Sequence, residues 1–526
     1  KDFFSIPSIG LGMGLTINSY ALENRAFIAS IFEYLDRLHT TSASFMSAYT
    51  AAKNKPAAKK DTSSEAVQSD ESVTNCLDTL AAVGALSGEL FAKFKDDLAK
   101  FIKHPDRYGS DDAMRKLRRD LGTDFYEIYT EVFLHCVGKP FGSLPMGVRL
   151  FLMFGFVDEG LAGADNTAKL MSIASSYKPD KSGHVITIYE WLTLIYKGKL
   201  MPSKNEFDLD YPAFLKDQKR NGEINEADEK RLLESNVDKF KFELKNLFSL
   251  GNRVTFGRIT TFVPVFDADN VTKGLELAYV DAKLMNEQIE RIRSIDYKGF
   301  CRQAVYSNPS IGINSFYLDD EVLPYIILMP NVGSRATLWQ EIDGKKRSTP
   351  ARMLISIFHT ENVEDTFTKL MAEFRWEMCK TEQGVHWNDV SDPSLTAMYC
   401  DYLQFYRKNS SLSADVKEKI STALKNNSNS FKKVFVGDYF TYIKYESQGS
   451  LRMNKTAREI LFSFCPFSLE IRERIGDNPQ FSNLISQHNN KTAQRLKPLQ
   501  NLIVKLNNNG TKVPAELLAQ EEFLNR

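Results

Sequence analysis

Apolar residues recur at three- and four-residue spacing over most of this chain, the pattern of helices that bury one face. Ile28, Ile31, Phe32, Tyr34, Leu35 and Leu38 mark an amphipathic helix within residues 17 to 46. The pattern then stops. From residue 47 to 75, "SAYTAAKNKPAAKKDTSSEAVQSDESVTN" carries almost no large apolar side chain, too little burial to compensate the entropy of ordering, so a disordered linker is expected. Helical spacing resumes in "LFAKFKDDLAKFI" and "DFYEIYTEVFLHCV" and continues through "VITIYEWLTLIYKG". After a polar, acidic passage it returns in "DKFKFELKNLFSL", whose helix is expected to end at Gly251.

Strand signals come later. "RVTFGRITTFVPVF", residues 253 to 266, is rich in β-branched and aromatic residues, and "LPYIILMP", residues 323 to 330, is a short apolar run bounded by prolines. Thr349 followed by Pro350 predicts a new helix, with threonine as cap and proline at the first helical position, which puts Arg352 in its first turn. Phe367, Leu370, Met371, Phe374 and Met378 form one apolar face of a further helix capped at Gly384. Helices are also expected over 413 to 426, 430 to 447, 455 to 464 (stopped by Pro466) and 491 to 506, with "NNNG" breaking the chain at 507 to 510. The fold class is therefore α+β, predominantly helical, with a small β-sheet in the C-terminal half. Its expected divisions are an N-terminal helical segment (1–46), a linker (47–75), a helical subdomain (76–250) and an α+β domain (251–526). No internal repeat is present.

At 526 residues the chain needs roughly three to four packing units. Lys plus Arg and Asp plus Glu balance at 67 each, so no global field draws it to nucleic acid. Six cysteines without a CxxC pair point to a reducing compartment and the cytoplasm, and away from a structural zinc module. The most apolar stretch, "SLPMGVRLFLMFGFV", is about half a membrane span and contains Arg149, so no membrane span is expected. The chain opens with Lys1 and without a signal-peptide pattern, and further sequence is expected upstream.

The motifs for familiar chemistry are incomplete. "IGLGMGLT" has glycines but neither a preceding strand nor a following GKS or GKT, which a phosphate loop requires. "DQKRNGEINEAD" follows a calcium loop at Asp217, Asn221 and Gly222, yet has Lys219 at the third position and Asp228 at the twelfth. "DKSGHVITIYEW" ends on Trp191 where a calcium loop needs its bidentate glutamate. Seven histidines form no HxxxH or HExxH; His359 and Glu361 make an HxE without a PCxxC. No metal site is therefore expected and no cofactor is identified. His135–Cys136 ends an apolar helix and reads as core.

One region stands out by density. Between Asn331 and Asp392 lie Trp339, Trp376 and Trp387, two histidines and "NVGSRATLWQEIDGKKRSTPARM". "NVGSR" follows a buried strand expected to end at Pro330, where loops commonly carry ligand groups. Gly333 and Ser334 offer backbone amides, Arg335 and Arg352 can fork onto a carboxylate or phosphate, and Trp339 stands beside them. Lys345, Lys346 and Arg347 add positive charge, although "EIDGKKRST" also reads as a solvated loop turning on Asp343–Gly344. In "EFRWEMCKTEQGVHWND", Glu377, His386 and Asp389 are the groups able to move a proton. The tryptophans there equally suit packing.

"LGNRVTFGRITTFVPVF", "LPYIILMPNVGSRATLWQEI", "EFRWEMCKTEQGVHWND" and "IKYESQGSLRMNK" resemble a pattern found in uncharacterised bacterial proteins of the spirochaete type, over about residues 185 to 480. The resemblance implies no activity and no catalytic residue, but some such proteins carry an upstream cyclic-nucleotide-binding domain. The phosphate cassette of that domain pairs Gly-Glu with a nearby arginine; here Gly88–Glu89 precedes "LFAKFKDDLAK", which has none. The resemblance thus places any such domain before Lys1, with residues 17 to 46 as its trailing helix. The expected function is a cytoplasmic bacterial regulatory or scaffold protein that binds a protein partner or a small anionic ligand through residues 331 to 392. The alternative is an enzyme without a recognisable linear motif, acting on a phosphate or carboxylate substrate that Arg335 and Arg352 clamp. That alternative requires His386 to share a cleft with Arg335.

Overall fold

Side-chain caps set most helix starts. Asp111 accepts the amides of Ala113 and Met114 at the head of helix Asp112–Cys136, and Thr187 and Glu190 form a reciprocal capping box on helix Ile188–Tyr196. Asn362 accepts the Asp365 amide to open helix Val363–Gln383, which stops at Gly384 with φ 56°, a left-handed value that glycine adopts without a Cβ clash. The computed structural model describes residues 76–255, 264–339 and 351–526. The expected helix at 17 to 46, the linker, the "IGLGMGLT" motif, Lys345, Lys346, Arg347 and the Asp343–Gly344 turn lie outside them.

Six strands occur among the described residues: β1 (Val185–Thr187), β2 (Cys301–Asn308), β3 (Ile313–Glu321), β4 (Tyr325–Gly333), β5 (Ala336–Trp339) and β6 (Arg352–His359). Four of them form one sheet in the order β1-β4-β6-β5, with β1, β4 and β6 parallel and β5 antiparallel at the edge. All eight residues of β6 are buried, as are all of β4 after Tyr325, the signature of a sheet covered on both faces. Helices Met146–Phe154 and Ile188–Tyr196 pack against β4, and helices Asn236–Val254 and Val363–Gln383 against β5. Phe358 of β6 meets Phe154 and Phe266 at ring-centroid distances of 5.4 and 4.9 Å.

The fold is α+β and mostly helical, as the spacing predicts. Several local expectations change. The helix predicted from Pro350 is replaced by β6: residues 352 to 359 are an apolar run of strand length paired on both sides, by β4 and by β5, and those ladders outweigh the Thr-Pro start signal. The helix expected to end at Gly251 continues to Val254, so the predicted strand at 253 to 266 begins in helix; its middle, 256 to 263, lies outside the described residues, and Val265 makes a single parallel bridge to Phe156. β4 does not end at Pro330 but runs to Gly333 through a register shift after Met329.

β1 lies inside the stretch expected to be purely helical, and through it residues 76–250 and 251–526 share the sheet. One hydrophobic core runs from Cys76 to Leu484. A smaller core, built on Tyr297, Ile313, Leu499, Leu506 and Phe523, joins the β2–β3 hairpin to helices Pro479–Asn508 and Ala515–Leu524. Helices Ala414–Asn426, Phe431–Lys444 and Lys455–Phe464 match their predicted positions within a few residues. No helix among the described residues is long and apolar enough to cross a membrane.

Candidate functional site

The strand registers divide the residues that the sequence grouped together. Gly333 pairs with His359 at the carboxyl end of β6, while Trp339 pairs with Arg352 at its start. Seven residue steps separate those ends, about 23 Å at strand spacing. Gly333, Ser334 and Arg335 therefore stand at one end of the sheet, and Trp339 and Arg352 at the other.

At the first end, Gly333 is needed for close packing. A Cβ there would lie 2.0 Å from the Val254 carbonyl oxygen and 2.2 Å from Ser356 Oγ. The Gly333 carbonyl accepts the Thr360 amide at 2.8 Å. Ser334 is half-buried, and Arg335 is exposed with its amide directed to the Val254 carbonyl at 3.3 Å. At the other end, Arg352 and Trp339 are buried. The guanidinium carbon of Arg352 lies 4.6 Å from the Trp191 ring centroid and 5.8 Å from that of Trp339, and Nη2 donates to the Met201 carbonyl at 3.1 Å.

Helix Val363–Gln383 follows β6 and leads back toward the Trp339 end. It brings Glu377 there, to a cavity of about 420 Å³ that Trp339 and Glu377 line together with Lys204, Asp208, Arg253 and Lys432. Glu377 is buried and accepts Lys432 Nζ at 2.7 Å; Lys204 reaches Asp208 at 2.6 Å. Two of the three cations on the wall are thus held by acids on the same wall. Arg253, exposed near the end of helix Asn236–Val254, has no carboxylate within 4 Å among the described residues. Lys204, Arg253 and Lys432 are not marked by any linear motif, because they come from three segments that only the fold assembles.

His386 and Asp389 lie beyond the Gly384 cap. Both are solvent-accessible, with Nδ1 and Oδ2 3.5 Å apart, and hydrogen bonds from the Ser391 hydroxyl and amide, with a smaller contribution from His386, hold the Asp389 carboxyl below its usual range. Neither residue lines the Trp339 cavity. Trp387 instead packs toward Trp376, with centroids 6.4 Å apart. The calcium-like segment is also occupied locally: Asp217 pairs with Arg220, and Asp228 accepts the Asn225 amide in a capping box. Among the described residues, no group of three His, Cys, Asp or Glu side chains is placed to hold a metal ion.

Residues 384–523 match the model of a family described as a domain of unknown function, DUF8509. The match begins at the helix cap and takes in the C-terminal helices. No curated protein matches the chain. No solved structure matches it either.

Proposed function

We propose that the protein is a cytoplasmic bacterial regulatory or scaffold protein that binds a small ligand bearing a carboxylate or phosphate in the cavity beside Trp339 and Glu377. The observation that carries this reading is Arg253, a cation on the cavity wall that makes no ion pair within 4 Å among the described residues although Glu206 shares the wall, together with Lys432 and Lys204, whose ion pairs can rearrange when an anion enters. The proposed site keeps Trp339 and Glu377 from the 331 to 392 region and leaves Arg335 out, while its cations Lys204, Arg253 and Lys432 come from outside that region. An upstream cyclic-nucleotide sensor belongs to the same reading, as the input that ligand binding would modulate. A protein partner is the second reading, favoured by the exposed apolar pair Val385 and Val390 beside the helix cap.

Thermal unfolding of the full chain against a panel of small carboxylates and phosphate monoesters tests the first reading. A ligand present at a hundred times its Kd stabilises the folded state by about 2.7 kcal/mol. Arg253→Ala is expected to remove that stabilisation. If no anion in the panel shifts the midpoint, or if Arg253→Ala responds as the wild type does, the reading fails.

A further inference from the structure

On the opposite flank of helix Val363–Gln383 lies a second cavity, of about 340 Å³, whose wall includes Lys298, Gln303, Arg375, Cys379, Glu382 and Ser394. The Lys298 backbone is fixed. Its carbonyl accepts Arg375 Nη1 and the Cys301 amide, each at 3.0 Å, and the Gly299 amide closes the turn on the Asp296 carbonyl at 2.9 Å. Its side chain is only partly buried. Among the described residues, Lys298 Nζ has no hydrogen bond and no carboxylate within 4 Å; it lies 5.7 Å from the centroid of the Tyr297 ring.

The acids around it are committed elsewhere. Asp319 of β3 accepts Arg495 at 2.6 Å and Gln520 Nε2 at 2.8 Å, and Asp296 accepts the Tyr439 hydroxyl at 2.9 Å and faces Arg375 at 3.5 Å. Burial first, and then the Arg495 and Arg375 charges, hold the Lys298 amine below the usual lysine range against the opposing pull of Asp319 and Asp296. An amine held in place on a cavity wall, without an acid partner among the described residues, gives up its proton more readily than a solvated lysine and so attacks a carbonyl more readily.

We propose that Lys298 captures a small polar aldehyde in this cavity as an imine. The amine lone pair forms the C–N bond to the carbonyl carbon, and the two amine protons leave with the carbonyl oxygen as water, so the step consumes no oxidant or reductant. Glu382 and Asp392 on the wall disfavour an anionic aldehyde, and the volume lies at the small end of ligand cavities. This site shares no wall residue with the Trp339 cavity, and the proposal stands apart from that one.

The test is reductive labelling of the full-length protein at neutral pH with glycolaldehyde and cyanoborohydride, followed by peptide mass spectrometry. Lys298 is expected to be labelled at least tenfold faster than an exposed lysine such as Lys283. Lys298→Arg is expected to lose that label and leave the others in place. Labelling of Lys298 at or below the rate of Lys283 overturns the proposal, and faster capture of glyoxylate than of glycolaldehyde overturns the assigned ligand class. The rate comparison within the wild-type protein decides the matter even where a Lys298 variant folds poorly.

Discussion

The Arg352 guanidinium lies 4.6 Å from the Trp191 ring centroid, and the indole Nε1 of Trp191 donates to the buried Glu243 carboxylate at 2.5 Å. Glu243 also accepts the Ser203 amide and hydroxyl, so a strand, two helices and the 201–203 segment meet at one buried polar cluster. Arg352 is therefore an internal strut, and Arg352→Ala should lower unfolding free energy by about 3 kcal/mol through lost stacking and a residual void. Arg352→Lys keeps the charge but not the flat stacking surface, and should fall between the two. Urea unfolding measures both. A change within about 0.5 kcal/mol for Arg352→Ala would return the residue to the surface-ligand class.

Gly333 and Arg335, two residues apart, should behave in opposite ways. A methyl group at Gly333 has no room between the Val254 carbonyl and Ser356 Oγ, and its neighbours are backbone and a central strand, so Gly333→Ala should cost about 2 to 3 kcal/mol by forcing helix Asn236–Val254 off the sheet. Arg335 projects from an exposed position, and Arg335→Ala should stay within about 0.5 kcal/mol of wild type. Equal effects at the two positions would contradict the packing described here.

That contrast shows what a linear reading can and cannot recover. Helix faces such as Phe367, Leu370 and Phe374 repeat within one segment, and Gly384 signals its own cap, so both were legible. β6 was not. Its apolar run suits a buried strand as well as a helix, and the ladders that decide between them involve β4 and β5. The β2–β3 hairpin was missed because β2 alternates half-buried and exposed positions without a matching alternation of apolar and polar residues, Val305 being exposed and Arg302 half-buried, and its turn, "NPSIG", carries none of the two-residue signals. The Trp339 cavity draws on residues from Lys204 to Lys432, and of these the sequence marks only Trp339 and Glu377 as candidates. Lys298 carried no local sign at all, since what sets its amine apart is that the nearby Asp319 and Asp296 are engaged by Arg495, Gln520 and Tyr439, all distant in sequence.

The segment "IKYESQGSLRMNK" owes its composition to another buried pair. Glu446 is fully buried, binds the Arg458 guanidinium, and accepts the amides of Arg452 and Met453 at 2.6 and 2.8 Å. Glu446→Ala strands a buried arginine and two amides, and should destabilise the protein by about 3 to 5 kcal/mol. The double variant Glu446→Leu with Arg458→Met removes both charges and should recover part of that loss. Guanidinium unfolding of the wild type, Glu446→Ala, Glu446→Leu, Arg458→Met and the double variant gives the comparison. Losses for Glu446→Leu and Arg458→Met that simply add up to the loss of the double variant would show that the pair is not coupled as described.

A pH dependence follows from His359. The ring is buried at the carboxyl end of β6, where Nε2 lies 2.9 Å from Thr366 Oγ1 and Nδ1 has no hydrogen-bond partner among the described residues. Burial, with the Lys273 charge as a smaller cause, pushes its pKa down to about 4. The unfolded chain, with an ordinary histidine near 6.5, then binds more protons than the folded one between those values. Stability must fall as pH drops through that window. Asp438 acts in the opposite sense: burial raises its carboxyl to about 6, so its contribution is present at low pH and lost as pH rises from 3.8 through 6. His488, pushed down to about 3 by burial and nearby cations, adds to the effect of His359. The separable quantity is therefore the difference between wild type and His359→Gln, which removes one titrating group and leaves the others. Between pH 7 and pH 5 the wild type should lose about 2 kcal/mol more than the variant, read from urea midpoints at each pH. Parallel pH profiles for the two proteins would mean that the His359 ring takes up its proton as readily folded as unfolded, and that the end of β6 is open to water.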